Sequence, residues 1–170
     1  NGALLDWKPG APLPARDGLP WLHLNYADRD VREWLLGSGL LAPPVAESLL
    51  DEETRPRVLH HGNGLLLTLR GVNLNPGAEP EDMVSIRLWI EEGRIISTRK
   101  RRLKSVKEIQ SLLAAGEGPR SSGEFLAMLL RLMTDNIGEV IEGLEDQMAE
   151  VEEHIVTHRG AKAREALRAC

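Results

Sequence analysis

The chain holds a single cysteine, Cys170, which excludes an internal disulfide framework and a cysteine-rich zinc site. Reduced cytoplasm is the compartment that such cysteine usage suits. Aromatic residues are scarce too, with one Phe, one Tyr and four Trp, so aliphatic side chains must fill any core. No run approaches the roughly 18 to 20 apolar residues of a membrane-crossing helix, and no signal peptide is recognisable. The short motifs of phosphate and catalytic chemistry are missing as well: there is no Gly-x-Gly-x-x-Gly, P-loop, His-Glu-x-x-His or nucleophile elbow. Carboxylates are plentiful, but no pair of them is singled out for catalysis. The chain therefore reads as a non-enzyme with no organic cofactor. A net charge of −5 argues against nucleic acid as the partner and favours cations.

What is present is a run of short periodic segments. Ala3–Leu5 suits a short first strand, and Lys8–Pro20 a loop. Trp21–Tyr26 alternates, with Trp21, His23 and Asn25 on one face and Leu22, Leu24 and Tyr26 on the other. Asp28 or Asp30 can cap a short helix whose inner face carries Val31, Trp34 and Leu35 and which Gly37 stops. Pro43-Pro44 opens a second helix through Leu50, since proline is tolerated in a first turn. Arg57–His61 and Leu65–Arg70 flank Gly62-Asn63-Gly64, a hairpin signal. Met83–Glu91 and Arg94–Thr98 pair back across Glu92-Gly93, with Val84, Ile86, Leu88 and Ile90 sharing a face. A helix bearing Val106, Ile109, Leu112 and Leu113 ends at Gly116–Pro119. The fold class expected is α+β: a mixed or antiparallel sheet flanked by short helices in αβα layers, then a long C-terminal helix.

That last element stands out because residues 121–170 contain no proline. Ser121 and Glu124 form a capping-box pattern at its start. A helix through all of it would span roughly 70 Å, while a globule of about 120 residues has a radius of gyration of only about 14 Å. Such a helix cannot bury its stripe on its own domain. The stripe is Leu126, Leu130, Met133, Ile137, Val140, Leu144, Met148, Val151 and Ile155, a heptad register with one stutter near Leu144. Phe125, Leu129, Leu132 and Ile141 widen it, so the part from Phe125 to Leu144 is expected on the sheet. Beyond it, Glu142, Glu145, Asp146, Glu150, Glu152 and Glu153 crowd the surface. His158-Arg159-Gly160 carries a helix-end signature, which places a turn near Gly160 followed by a returning helix. Two domains result: residues 1–120 as the α/β body, and 121–170 as the long helix and the start of a helical hairpin.

Glu150, His154 and His158 are spaced four apart and share one helix face, and carboxylate with imidazole suits zinc. They are the candidate metal ligands; the competing reading is an exposed acidic–imidazole ladder. His60 and His61 are adjacent on a strand and point to opposite faces, so they cannot hold one ion together. His23 reads as a hydrogen-bonded strand histidine. The basic run Arg99-Lys100-Arg101-Arg102-x-Lys104 has no aromatic residues between its cations, so a solvated loop or an inter-subunit salt-bridge surface suits it better than nucleic acid.

Trp21-Leu22-His23-Leu24-Asn25-Tyr26, Arg55-Pro56-Arg57-Val58 and Leu67-Thr68-Leu69-Arg70-Gly71-Val72-Asn73 resemble, in that order, the cytoplasmic domain of the CorA-type metal-ion transporters. Ile95-Ile96-Ser97-Thr98-Arg99-Lys100-Arg101-Arg102 is most similar to the ZntB zinc-transport branch. The resemblance implies a homopentamer in the bacterial inner membrane, with an α/β cytoplasmic funnel and long helices leading to two membrane helices beyond Cys170. It implies zinc as the transported or regulatory ion. A magnesium or cobalt transporter domain of the same architecture is the alternative, as is a soluble helical interaction module. The family's pore signature, Gly-Met-Asn, does not occur in these residues.

Overall fold

A computed structural model describes residues 7–11 and 18–168, with side chains as far as Thr157. Five strands and four helices follow one another: β1 Trp21–Asn25, α1 Arg29–Gly37, α2 Pro43–Leu50, β2 Arg57–His61, β3 Gly64–Gly71, β4 Val84–Glu91, β5 Arg94–Arg99, α3 Lys104–Ala115 and α4 Ser122–Arg168. The expected strand Ala3–Leu5 lies outside the described residues. The strands form one mixed sheet in the order β1-β5-β4-β3-β2. Three hairpin-type antiparallel pairings join β2 through β5, and β1 lies parallel to β5, with Leu24 opposite Thr98.

Strand alternation makes the two layers. Leu22, Leu24, Leu66, Trp89 and Ile96 face α1 and α2, and Val31, Leu35, Val45 and Leu49 close that core. On the opposite face Leu67, Ile86, Leu88 and Ile95 meet Val106 and Ile109 of α3 and Phe125, Leu129 and Met133 of α4. This is the αβα arrangement that the alternation of β1 and β4 implied. The ends of the elements follow local chemistry. Gly62 takes φ +56° as the first residue of a two-residue turn. Gly116 takes φ +81° at the C-cap of α3, where its N–H bonds the Leu113 carbonyl at 3.1 Å. At the start of α4 the Glu124 N–H bonds Ser121 Oγ at 3.2 Å, and the Glu124 carboxylate accepts from the Arg120 N–H at 2.8 Å.

Three expectations are corrected. Asp28 sits at the N-cap of α1 but makes no side-chain cap; its carboxylate accepts from Asn25 Nδ2 at 3.1 Å, which ties the strand end instead. The sheet-facing part of α4 is shorter than Phe125 to Leu144. Its buried residues are Phe125, Leu129, Met133 and Asn136, with Leu126, Met128 and Leu132 partly buried beside them, a face centred to one side of the heptad stripe, so Leu130 stays 42% exposed and Ile141 50%. No turn interrupts α4 near Gly160: the helix runs unbroken from Ser122 to Arg168. One helical glycine costs only about 1 kcal/mol, and the alanines, Glu165 and Leu167 that follow Gly160 are good helix formers. The chain divides into two compact units, Asn1–Asn136 and Ile137–Cys170, so the first fifteen residues of α4 belong with the sheet.

Within the first unit, Gly64 is required by Trp89. A Cβ at Gly64 would lie inside contact distance of the Trp89 ring, which is itself 95% buried and donates from Nε1 to Glu91 at 3.1 Å. Gly64→Ala is therefore expected to destabilise the first unit by about 1–3 kcal/mol, the usual cost of overpacking, as read by urea unfolding. Combined with Trp89→Leu, the loss should be clearly less than additive; additivity would show that the ring does not set the requirement.

Candidate functional site

Three groupings of polar side chains come out of this fold. The first links β1 to β5. The parallel register sets Ser97 opposite His23, and Ser97 Oγ lies 2.8 Å from both Trp21 Nε1 and His23 Nδ1. The indole N–H donates to the hydroxyl, which also reaches the Leu22 carbonyl at 3.4 Å, and the imidazole tautomer sets which of Ser97 Oγ and His23 Nδ1 carries the proton between them. Burial first, and the nearby Arg99 cation second, push the His23 pKa down to about 4. His23 is thus the hydrogen-bonded strand histidine expected, a joint between strands and not a metal ligand.

The second grouping is a polar row across the other face. Arg57, Thr68, Arg87 and Thr98 are successive cross-strand neighbours, and Thr68, Arg87 and Thr98 are all buried. Thr98 Oγ1 donates to the Leu49 carbonyl of α2. Arg87 is fully buried; its Nη2 donates to the Glu53 carbonyl at 2.9 Å and its guanidinium carbon lies 5.0 Å from the centre of the Tyr26 ring. Among the described residues, its Nε and Nη1 find no acceptor. Asp51, bonded by the Glu53 N–H and by Arg57, is held below the usual carboxylate range and supplies the negative charge of this corner. Sequence reasoning missed Arg87 because an arginine alternating with Ile86 and Leu88 reads as solvent-facing. The signal was Trp89, two residues on along the same face, which calls for a covered surface.

The third grouping is the acidic stretch of α4. Glu150 and His154 lie one helical turn apart, and both are exposed. His158 continues the helix, but its side chain lies outside the described residues. Among the described residues no group of three His, Cys, Asp or Glu side chains converges on one point. The structure therefore neither assembles nor dismantles the trio Glu150, His154 and His158. Leu144, Met148, Val151 and Ile155 are 54%, 64%, 58% and 48% exposed, so the apolar stripe of the second unit is uncovered. No helix among the described residues is long and apolar enough to cross a membrane.

Residues 16–169 match the family described as CorA-like Mg2+ transporter protein. The chain belongs to that family. Its name denotes transport, not catalysis. Among curated relatives, the divalent cation transporter CmaX of Pseudomonas aeruginosa is 45% identical over 152 residues, which are 89% of this chain and 44% of CmaX. The zinc transport protein ZntB of Yersinia enterocolitica is 36% identical over 159 residues, 94% of this chain and 48% of that protein. The crystal structure of the ZntB cytoplasmic domain from Vibrio parahaemolyticus superimposes with a TM-score of 0.70 at 32% identity, covering 76% of this chain and 53% of that one. The chain thus spans about half the length of the curated CorA-like relatives it matches, and its five-stranded mixed sheet with a long C-terminal helix matches the fold of that ZntB cytoplasmic domain.

The His23 joint gives this CorA-like domain an acid-sensitive seam. Its folded pKa lies below the unfolded value of 6.5, so the native state binds fewer protons. The stabilisation is complete above pH 6.5 and is lost as the pH falls toward 4, by about 2 kcal/mol once partial exposure is allowed for. Urea midpoints measured from pH 7 to pH 4 should fall steeply, and His23→Gln, which cannot charge, should flatten that part of the profile.

Proposed function

We propose that this chain is the cytoplasmic domain of a divalent-cation transporter, that zinc is the cargo, and that the domain itself performs no catalysis. Family membership gives the class. The single observation that carries the domain's role is the uncovered stripe Leu144, Met148, Val151 and Ile155, lined by Glu142, Glu145, Asp146, Glu150, Glu152 and Glu153. An amphipathic helix gains stability from partners, because covering apolar surface is worth roughly 25 cal/mol per Å2. In this reading the stripe packs within a homopentameric funnel on the cytoplasmic face of the bacterial inner membrane, anchored by membrane helices that the parent protein supplies beyond Cys170. The carboxylates beside it raise the local concentration of divalent cations, an effect that salt screens over about 10 Å at 0.1 M. Zinc is favoured over magnesium by the likeness to proteins named for zinc transport. Magnesium or cobalt as cargo is the second reading, favoured by the family's own description.

Within that role, Glu150, His154 and His158 are the proposed zinc ligands. One carboxylate and two imidazoles on successive turns offer at most three donors, which leaves a fourth position for water or another subunit. Occupancy would bias how the long helices pack, and through them the gate.

Two measurements test these statements. Isothermal calorimetry of zinc with the chain should give a site whose affinity falls at least tenfold in His154→Ala/His158→Ala; unchanged affinity removes the ligand assignment while leaving the transporter reading standing. Zinc flux through the full-length protein in vesicles should persist in excess magnesium or cobalt. Flux of magnesium with none of zinc decides for the second reading.

A further inference from the structure

The polar loop between β3 and β4 and the basic loop between β5 and α3 are far apart in sequence but meet around a cleft of about 350 Å3. Asn73, Asn75, Gly77, Asp82, Arg101 and Arg102 line it. The volume falls in the range of small-molecule sites, about 300–1,000 Å3. The walls are built and tied together. Asn73 is 98% buried, and its Oδ1 accepts from Asn75 Nδ2 at 2.7 Å and from the Asn75 N–H at 3.3 Å. Asn75 Nδ2 also reaches across to the Arg102 carbonyl at 3.0 Å, joining the two loops. The Asn73 N–H bonds the Pro80 carbonyl at 3.2 Å and the Ala78 N–H the Asn75 carbonyl at 3.1 Å, so the long loop folds back on itself. Gly77 adopts φ +74° in that turn, where no other atom lies within 4 Å of the position a side chain would take.

The cleft's charges are unbalanced. The run from Arg99 to Arg102 holds four cations and no carboxylate. Lys100 pairs with Glu52 at 3.8 Å, whereas among the described residues the guanidinium groups of Arg101 and Arg102 make no ion pair and no hydrogen bond. Their neighbour Arg99 has its pKa lowered by burial and then by Arg102, a sign of cations crowded together. Each guanidinium offers five N–H donors in a planar fork that matches phosphate oxygens. Against them stands one carboxylate of the wall, Asp82.

The geometry points to an anion site in this cleft, with Arg101 and Arg102 gripping a phosphoryl group and the Asn73–Asn75 loop fixing the wall opposite. The ligand chemistry is a phosphoryl anion, whether of a free diphosphate-type metabolite or of a phospholipid headgroup. The site is separate from the α4 trio and does not depend on the choice of cargo cation.

Pyrophosphate calorimetry and co-sedimentation with phosphatidylglycerol vesicles, both on the 170-residue chain, test it. Arg101→Gln/Arg102→Gln should weaken whichever ligand binds by at least tenfold. Asp82→Asn should tighten it about threefold, because a repelling charge is gone. Lys100→Gln, whose side chain is already paired outside the cleft, should change it less than twofold. All four substituted residues are exposed, so circular dichroism should be unchanged. Pyrophosphate binding alone assigns the free anion, and arginine-dependent vesicle binding alone assigns the headgroup. Binding of neither probe, wild-type affinity in the double variant, or weaker binding by Asp82→Asn overturns the proposal.

Discussion

The parallel pairing of β1 with β5 is the constraint on which the first unit depends. β1 is an edge strand, and its register against β5 decides which of its side chains meet which helices. With Leu22 opposite Ile96 and Leu24 opposite Thr98, the aliphatic residues close the layer under α1 and α2, and Trp21 packs against Phe125 of α4 in the other. A slip of one residue would exchange the two sets and leave His23 facing aliphatic side chains. Ser97 guards against that slip, since its hydroxyl is in reach of Trp21 and His23 only in the observed register. Because β5 also carries Thr98, bonded to the Leu49 carbonyl, one strand holds both helical layers in place.

Both faces of the sheet are covered at β3, β4 and β5, though not at the edge strand β2, which is unusual for strands that alternate so plainly. The consequence falls on the polar side chains. Thr68, Arg87 and Thr98 occupy positions that would be wet in a two-layer protein, and here they are sealed beneath α2 and the segment after it. The Arg87 guanidinium keeps its charge company through Tyr26 and the Asp51–Arg57 pair nearby. A buried cation of this kind is strongly destabilising to disturb and adds little net stability when intact.

Local signals wrote most of the fold into the sequence. Alternation marked β1 and β4, Gly62-Asn63 marked the β2–β3 turn, and Ser121 with Glu124 marked the start of α4. What local signals could not carry was tertiary. The burial of Arg87 depends on helices placed over the second face. That α4's buried face centres on Phe125 and Leu129 and leaves Leu130 exposed depends on how the helix lies on the sheet. The end signal at His158-Arg159-Gly160 lost to the strong helix formers that follow it. Of the candidate site, the spacing of Glu150 and His154 on one helix was legible, but the cleft between residues 73–82 and 101–102 was not, because no spacing rule joins two loops that only the sheet brings together.

The scarcity of aromatic residues has an optical consequence. Trp21 packs in the layer of α3 and α4, whereas Trp89 belongs to the layer of α1 and α2, against whose core Trp7 and Trp34 also pack. Each side of the sheet therefore carries its own intrinsic fluorophore. A chain keeping only Trp21 and one keeping only Trp89 would watch opposite layers melt, and any difference between their emission curves would reveal which layer loosens first when a ligand, an acid or a neighbouring chain acts on the domain.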